Sequence, residues 1–420
     1  MKDMHNHCAG QHRALAMQGL TRGILVRLCL GVLVMCGITF GSVSVLADDN
    51  DIVVPRDFPT IQAAVDAAPP GATIKVRRGT YTEEIVITKN LHVEGAGVGA
   101  TILQSPATLT PFAVFVSNVP TETPLGAVVR ITNGAKVRMF GFTVTGPVPC
   151  AVEAQGIVVV EGARLTLAES HVTRMRPEPA DPSTCNPGNG IRIGFPAAFR
   201  IGSQLGSTGH GKITDVIVDR YLGDGIGVGG PPGGAASTAT ISHTVILEGT
   251  GLFNTSQGIA IRQNAVARVT ENIVAGNVCT APFCGPDPLN DFQSAGIVAF
   301  DVSPSSIEIL DNHIFANEIG IVQLASPHCC TISANRVSHN RFFGIVIADG
   351  DGTTSGNTIT GGGVGIAVIA TTVDTVGVLQ GDRIRRTSMA PVQELGCCGF
   401  TATAIAVSYT HLTLPTKRIV

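Results

Sequence analysis

Apolar and polar positions alternate along most of the chain, and the alternation restarts at glycine. A Gly followed by alternating apolar residues recurs nine times, at Gly126-Ala127, Gly156-Ile157, Gly190-Ile191, Gly225-Ile226, Gly258-Ile259, Gly296-Ile297, Gly320-Ile321, Gly344-Ile345 and Gly365-Ile366. The intervals are 30, 34, 35, 33, 38, 24, 24 and 21 residues. Alternation with period two predicts short strands, each with one buried face. A second rhythm lies between the glycines. Asn272 and Asn277 bracket Ile273, Asn312 and Asn317 bracket Ile314, Asn335 and Asn340 bracket Val337, and Asn357 opens a fourth copy with Ile359. One such repeat cannot bury its apolar face, whereas a stack of repeats buries a continuous core. The pattern therefore predicts a three-sheet solenoid with Ile157, Ile191, Ile226, Ile259, Ile297, Ile321, Ile345 and Ile366 in one interior column. Neighbouring coils would lie about 4.8 Å apart. Glycine is expected at the corners, where φ is often positive, and the asparagines are expected to hydrogen-bond from coil to coil as a ladder.

The segment ahead of the repeats has its own signature. Phe58 to Ala68 reads as a helix with Ile61, Ala64, Val65 and Ala68 on one face, ended by Pro69-Pro70-Gly71. Strand-like Thr73 to Val76 follows, then Gly79-Thr80-Tyr81-Thr82-Glu83. With the repeats, these features resemble right-handed parallel β-helix proteins of the pectin-lyase-like superfamily, over about residues 51–386. The resemblance implies an all-β fold: a right-handed single-stranded parallel β-helix with an N-terminal capping helix. The Gly-x-Tyr-x-Glu motif is also seen in pectinesterases and recurs in β-helix proteins of differing chemistry, so it speaks for fold rather than reaction.

Composition narrows the function classes. Charged residues are only 14% and hydrophobic residues 44%, the opposite of a disordered chain. Glycine numbers 50 and β-branched residues abound, which argues against a helical bundle. The net charge of −3, with no Lys/Arg-rich run, argues against a nucleic-acid partner. Arg13, Arg22 and Arg27 precede an apolar run from Leu28 to Ala47 that ends Val45-Leu46-Ala47. This is a secretory signal pattern, so no stable membrane span is expected after cleavage. Residues 1–47 carry a net of +3 against the whole-chain −3, which leaves −6 for the rest. The organisation expected is a signal peptide over 1–47, an N-terminal cap and first coils over 48–105, and a β-helix repeat domain over 106–407. Residues 408–420 resemble translated sequencing-adapter sequence and read as a non-native tail.

Intervals above 24 residues mark insertions, and 146–155, 176–189 and 278–295 all precede a Gly-Ile strand. Insertions at one phase of successive coils would wall a groove on the N-terminal half. The residue before the Gly is Gln155, Asn189, Asp224 and Gln257 in four consecutive coils, then Ala295, Ile319, Phe343 and Val364. Arg192, two residues after its Gly, should point away from the interior. Two readings of this polar column stand side by side. In one, Asn189, Arg192, Asp224 and Gln257 bind a sugar chain, with Asp224 as the catalytic carboxylate. In the other, the amides form a further ladder that closes a corner. A calcium ion held by Asp224 would need more oxygens, from Asp181 or Asp291.

Other candidate chemistry is thinner. Glu161, Asp301 and Asp349 each lie five residues after a Gly. Asp301, the other catalytic candidate, would stand two coils, about 10 Å, from Asp349. That exceeds the ~6.5–9.5 Å of an inverting glycosidase pair, and solvated turn carboxylates are the plainer reading. Asp349-Gly350-Asp351-Gly352 lacks the Glu an EF-hand needs, since Thr360 stands there. Gly209-His210-Gly211 matches one polygalacturonase motif without its companions. Asp224 with Arg192 and Arg220 is an incomplete version of a polysaccharide-lyase centre. Trp is absent and Tyr numbers 3, which disfavours processive glycan binding.

Past residue 47 the cysteines are Cys150, Cys185, Cys279, Cys284, Cys329, Cys330, Cys397 and Cys398, an even number that suits disulfides in an exported protein. Cys150 and Cys185 precede Gly156 and Gly190 by six and five residues, so they should be bridgeable across adjacent coils. Cys279 and Cys284 could close their own loop. His328-Cys329-Cys330 fits no zinc pattern, and no metal ligands are assigned. The function expected is an exported monomer, secreted, periplasmic or on the cell surface, that binds or processes polysaccharide in a lyase- or hydrolase-like manner. The alternatives are a non-catalytic surface or adhesion solenoid and, by fold analogy only, a metal-site assembly protein.

Overall fold

The computed structural model describes residues 51–116, 122–178, 185–251, 256–280, 284, 293–302, 306–396 and 399–412. The predicted signal segment and Asp181 and Asp291 lie outside these residues. Among them, strands assemble into a 14-stranded sheet, a 21-stranded sheet and one small two-stranded pairing. The 21-stranded sheet comprises two strand columns joined where single strands run through both, as in Ala163–Thr173, Gly209–Asp219 and Thr375–Arg385. Each complete coil therefore contributes three strand segments. For example, Gln257–Arg262, Ala265–Thr270 and Ile273–Ala275 are followed by Ala295–Phe300 one coil on. We call the 14-stranded layer the front sheet, the column that includes Lys136–Phe140 and Ala265–Thr270 the back sheet, and the column that includes Ile273–Ala275 and Arg336–Ser338 the side sheet. Among the described residues no helix is long and apolar enough to cross a membrane.

The isoleucine column forms as the repeat dictates. Ile157 is in register with Ile191, then Ile226, Ile259, Ile297, Ile321, Ile345 and Ile366, and all eight are fully buried. The asparagine ladder is also present. The amides of Asn272, Asn312, Asn335 and Asn357 each donate one coil onward, at 2.9, 3.0, 3.0 and 2.8 Å, the last to Asp382. A second run links Asn277, Asn317 and Asn340 at 2.8 and 3.1 Å.

The glycine column differs from expectation. These glycines sit within strands and not at corners, and none has a positive φ. A Cβ on Gly320 would lie 2.4 Å from the Gly344 carbonyl oxygen and 2.7 Å from Val337 Cγ1. Glycine is needed here because front and side sheets approach too closely for any side chain. The left-handed corners are instead taken by residues such as Glu161, Asp301 and Asp349, with φ of 53°, 53° and 48°.

The helix Ile61–Ala67 buries Ile61, Ala64 and Val65, and Ala68 just beyond it is buried too. Its N-terminus explains the Gly-x-Tyr-x-Glu motif. Both carboxylate oxygens of Glu83 accept from helix amides, from Ile61 at 2.9 Å and Gln62 at 2.8 Å, while Thr60 Oγ1 accepts from Ala63. Tyr81 donates to the Arg77 carbonyl at 3.0 Å. Glu83 thus clamps the cap to the first coil. Glu83→Ala is expected to lower stability by about 1–2 kcal/mol, because two helix amides lose a charged acceptor. Urea unfolding with an unchanged m-value would register it as a shift in midpoint.

Cys150 and Cys185 lie 4.1 Å apart between Cα atoms, with their sulfurs at bonding distance, as the spacing predicted. Cys279 pairs with Cys284 and Cys329 with its neighbour Cys330. Strand Ala402–Leu412 adds in parallel to Thr375–Arg385, and its pairing includes Ser408 and Thr410 to Leu412.

Candidate functional site

The outer side of the front sheet changes character along the solenoid. Over the first coils it is roofed by antiparallel ribbons that the glycine rhythm does not reveal. Phe195–Ile201 turns back on Gln204–Ser207 and also pairs with Ala113–Phe115. This insertion follows its Gly-Ile strand, whereas the predicted insertions precede theirs. Phe112, Phe195 and Phe199 pack there with Ala127 and Val158. Over the last coils the outer face is apolar, with Phe343, Val346, Val364 and Ala367 in one cluster. Between them lies a group of charges.

Arg192 does point away from the interior, but it is only 3% exposed. Its guanidinium lies under Phe199, 5.2 Å from the ring centre, and reaches over Gly227 on the next coil. A Cβ on Gly227 would meet Arg192 Nη1 at 2.8 Å, so this glycine makes room for the arginine. Arg192 Nη2 is 3.3 Å from Asp224 Oδ2 and 3.9 Å from Glu153 Oε1. Arg262 grips Asp224 with both terminal nitrogens, at 2.5 and 3.1 Å. Its side chain is 28% exposed and is the only appreciably open member of the group.

The amide column stitches this group together. Asn189 donates to Glu153 at 2.9 Å and accepts from the Asp224 amide at 2.7 Å. Gln155 donates to Glu153 at 3.3 Å, and Gln257 accepts from the Ala295 amide at 2.9 Å. Asn189, Asp224 and Gln257 are therefore brought together as predicted, but buried and bonded to their neighbours. Two buried atoms, Arg192 Nε and Gln155 Oε1, take no partner from the described residues.

The two carboxylates are driven apart electrostatically. Burial pushes Glu153 up, and Arg192 and its amide partners only partly offset that. Burial also opposes ionisation of Asp224, but Arg262 and Arg192 outweigh it and hold this carboxyl below its ordinary range. One carboxyl raised and its neighbour lowered is an arrangement that can serve acid–base chemistry.

Of the remaining candidates, one pairing, that of Arg220 with Asp224, is corrected. Arg220 is not the second arginine at Asp224; it bonds Asp219 at 3.3 Å and Thr173 at 3.0 Å, and Arg262 fills that role. Asp301 is exposed at its corner, accepts from Gln263 at 3.3 Å and joins no ion pair among the described residues. Asp349 accepts from the Thr371 and Thr372 amides as a turn carboxylate. Among the described residues no three His, Cys, Asp or Glu side chains are grouped to hold a metal. Glu153 and Arg262 escaped the sequence reading. Their signal is strand alternation, which puts Glu153 on the same face as Gln155, and register, which sets Arg262 beside Gly229.

A family model described as a right-handed β-helix region matches residues 204–376. No curated protein matches the sequence. Among solved structures, the chain is similar to a GH136 lacto-N-biosidase from Eubacterium ramulus, with a TM-score of 0.61 at 11% identity over 84% of this chain. The match covers 64% of that enzyme's chain, so this chain spans less than two thirds of its length. The mannuronan C-5 epimerase AlgE4 A-module of Azotobacter vinelandii gives 0.49 at 14% identity, over 82% of this chain and 94% of that one. At these identities the likeness is one of fold.

Proposed function

From the premise that this chain is a right-handed parallel β-helix protein, we propose that it is exported and binds or processes polysaccharide on the outer face of its front sheet. The observation that carries the reading is the Glu153–Arg192–Asp224–Arg262 group, with its opposed carboxyls and, with Gln155 beside it, two polar atoms that take no partner among the described residues. In this reading Arg262, at the open edge, meets the ligand first. A ligand oxygen accepting from Arg192 Nε and a ligand hydroxyl donating to Gln155 Oε1 complete their hydrogen bonding. Glu153 is the proton donor and Asp224 the fixed negative charge that keeps both arginines in place. The lacto-N-biosidase of similar fold supports a carbohydrate ligand. Three cysteine pairs at bonding distance support an oxidising compartment, in keeping with the N-terminal leader.

A non-catalytic solenoid is the second reading. It is favoured by the deep burial of Arg192 and Asp224 and by their satisfaction of one another. The two separate in a glycan panel of neutral oligosaccharides and polyuronates, with and without calcium. Binding, new reducing ends and unsaturated-uronate absorbance are read together. We expect Arg262→Gln to weaken binding at least tenfold, and Glu153→Gln to keep binding while losing turnover. Equal binding by both variants and wild type, without product, would leave the rod reading in possession.

A further inference from the structure

The outer face of the back sheet carries an unclaimed band of positive charge. Register places its side chains in two parallel columns. His92 aligns with Arg138, Arg138 with Thr166, and Thr166 with Lys212. Beside them Lys136 aligns with Arg164, and Arg164 with His210. Six basic side chains thus lie in four successive coils, and the two columns hold no carboxylate until Glu308, which Arg268 already engages. Lys136, Arg138, Arg164 and Lys212 are exposed and have no carboxylate partner among the described residues. Glu94, on the strand of His92, is one column over and in register with Lys75, on which it acts. A depression of about 470 Å³ runs between Asn90, His92, Lys136, Arg138, Arg164 and Thr166.

In a chain of net charge −3 this concentration is not a by-product of composition. Like charges on neighbouring strands repel, by an amount comparable to the ~0.2–1 kcal/mol that cross-strand pairs usually contribute. Burial, and after it the Arg164 charge, depresses the His210 imidazole, so the fixed positive charge of the band resides on Lys136, Arg138, Arg164 and Lys212. We propose that this band is a binding site for a linear acidic polysaccharide, lying across the coils and separate from the front-sheet group. The chemistry fits in three respects. The cations repeat at the strand spacing of about 4.8 Å, a scale on which each coil can meet successive carboxylate or sulfate groups. Arg138 and Arg164 offer the planar fork that grips such groups bidentately. Thr166 and Thr240 lie in the same column and offer hydroxyls for sugar hydroxyls, while the Thr238 hydroxyl bonds His210 Nδ1 at 2.8 Å. Apart from the imidazoles, the columns carry no aromatic ring on which a base could stack, which disfavours single-stranded nucleic acid.

The test is binding of the intact protein to polygalacturonate, alginate, a sulfated glucan, a neutral glucan and a duplex oligonucleotide, at low and high salt. We expect binding to an acidic glycan and none to the neutral one, with at least a tenfold loss between 50 and 500 mM salt as screening shortens the reach of the charges. The quadruple variant K136A/R138A/R164A/K212A should lose binding at least tenfold. Should it fold poorly, the single reversal Arg164→Glu, on an exposed side chain, should weaken binding at least threefold with an unchanged melting curve. Undiminished acidic-glycan binding in either folded variant overturns the proposal. Tighter binding to the duplex than to every acidic glycan overturns the ligand class. Arg262→Gln reports on the front sheet, so acidic-glycan binding that falls with it and not with the band variants overturns this site and supports the other.

Discussion

Asp224→Ala is expected to cost about 3–5 kcal/mol of stability at neutral pH, as breaking a buried ion pair from one side does. Both arginines would be left facing each other across the space of the lost carboxylate. Arg192 is buried under Phe199 and cannot turn to water, and Arg262 loses a two-pronged partner. The pH dependence of the difference follows from linkage. Asp224 is held below its ordinary range in the folded protein, because its two arginines outweigh the burial that opposes ionisation. A carboxyl with a depressed folded value contributes stability above its unfolded value, near 4, and loses it as pH falls through the folded value. The gap between wild type and variant should therefore be full at pH 7 and close in acid. Urea midpoints at pH 7 and pH 3 check this, and a gap that stays constant with pH would show that the carboxylate charge is not what the arginines require.

Gly320→Val is expected to destabilise by about 3 kcal/mol or more, at the upper end of overpacking costs. The residue has ordinary backbone angles, so no conformational penalty is involved. The added carbon would instead collide with the Gly344 carbonyl and with Val337, and both belong to ladders that tie one coil to the next. Neither can retreat without separating paired strands. Gly356, in contrast, has φ of 63° and no atom near its missing Cβ. Gly356→Ala should cost only about 1 kcal/mol, through the left-handed backbone alone. Comparing the two midpoints distinguishes crowding from conformation; similar costs would mean that the sheets can part locally.

What the sequence made legible follows from how local each interaction is. The isoleucine column was readable because a side chain that repeats in phase with glycine has only one place to go, the shared interior. The asparagines were readable for the same reason, since a buried amide in every coil must find its partner in the next. The cause of the glycine repeat was misread: close approach between sheets and positive φ both demand glycine, and the chain alone does not separate them. Glu153 and Arg262 were missed because each contacts Asp224 or its partners from outside the repeating positions. The ribbon of Phe195–Ile201 was missed because its partner, Ala113–Phe115, lies some eighty residues away and pairs antiparallel, outside any periodic rule.

The ladder that ends at Asp382 has a direction. Every side-chain carbonyl oxygen in it faces the earlier coil, while each side-chain NH2 gives one hydrogen to the next coil and the other back to a main-chain carbonyl, those of Ile241, Val269, Ile309 and Ile332. The side-chain to side-chain bonds therefore run one way, from Asn272 toward the C-terminal coils. Asp382 sits at that end and accepts from Asn357 through both its amide and its side chain, and from Thr354 through its second oxygen. Asp382 offers two acceptor oxygens and no amide NH2, so the amide relay stops there. The strand Ala402–Leu412 that follows is attached by main-chain pairing without it. The solenoid is thus polar along its axis: asparagine propagates the stack in one direction, and a single aspartate terminates it.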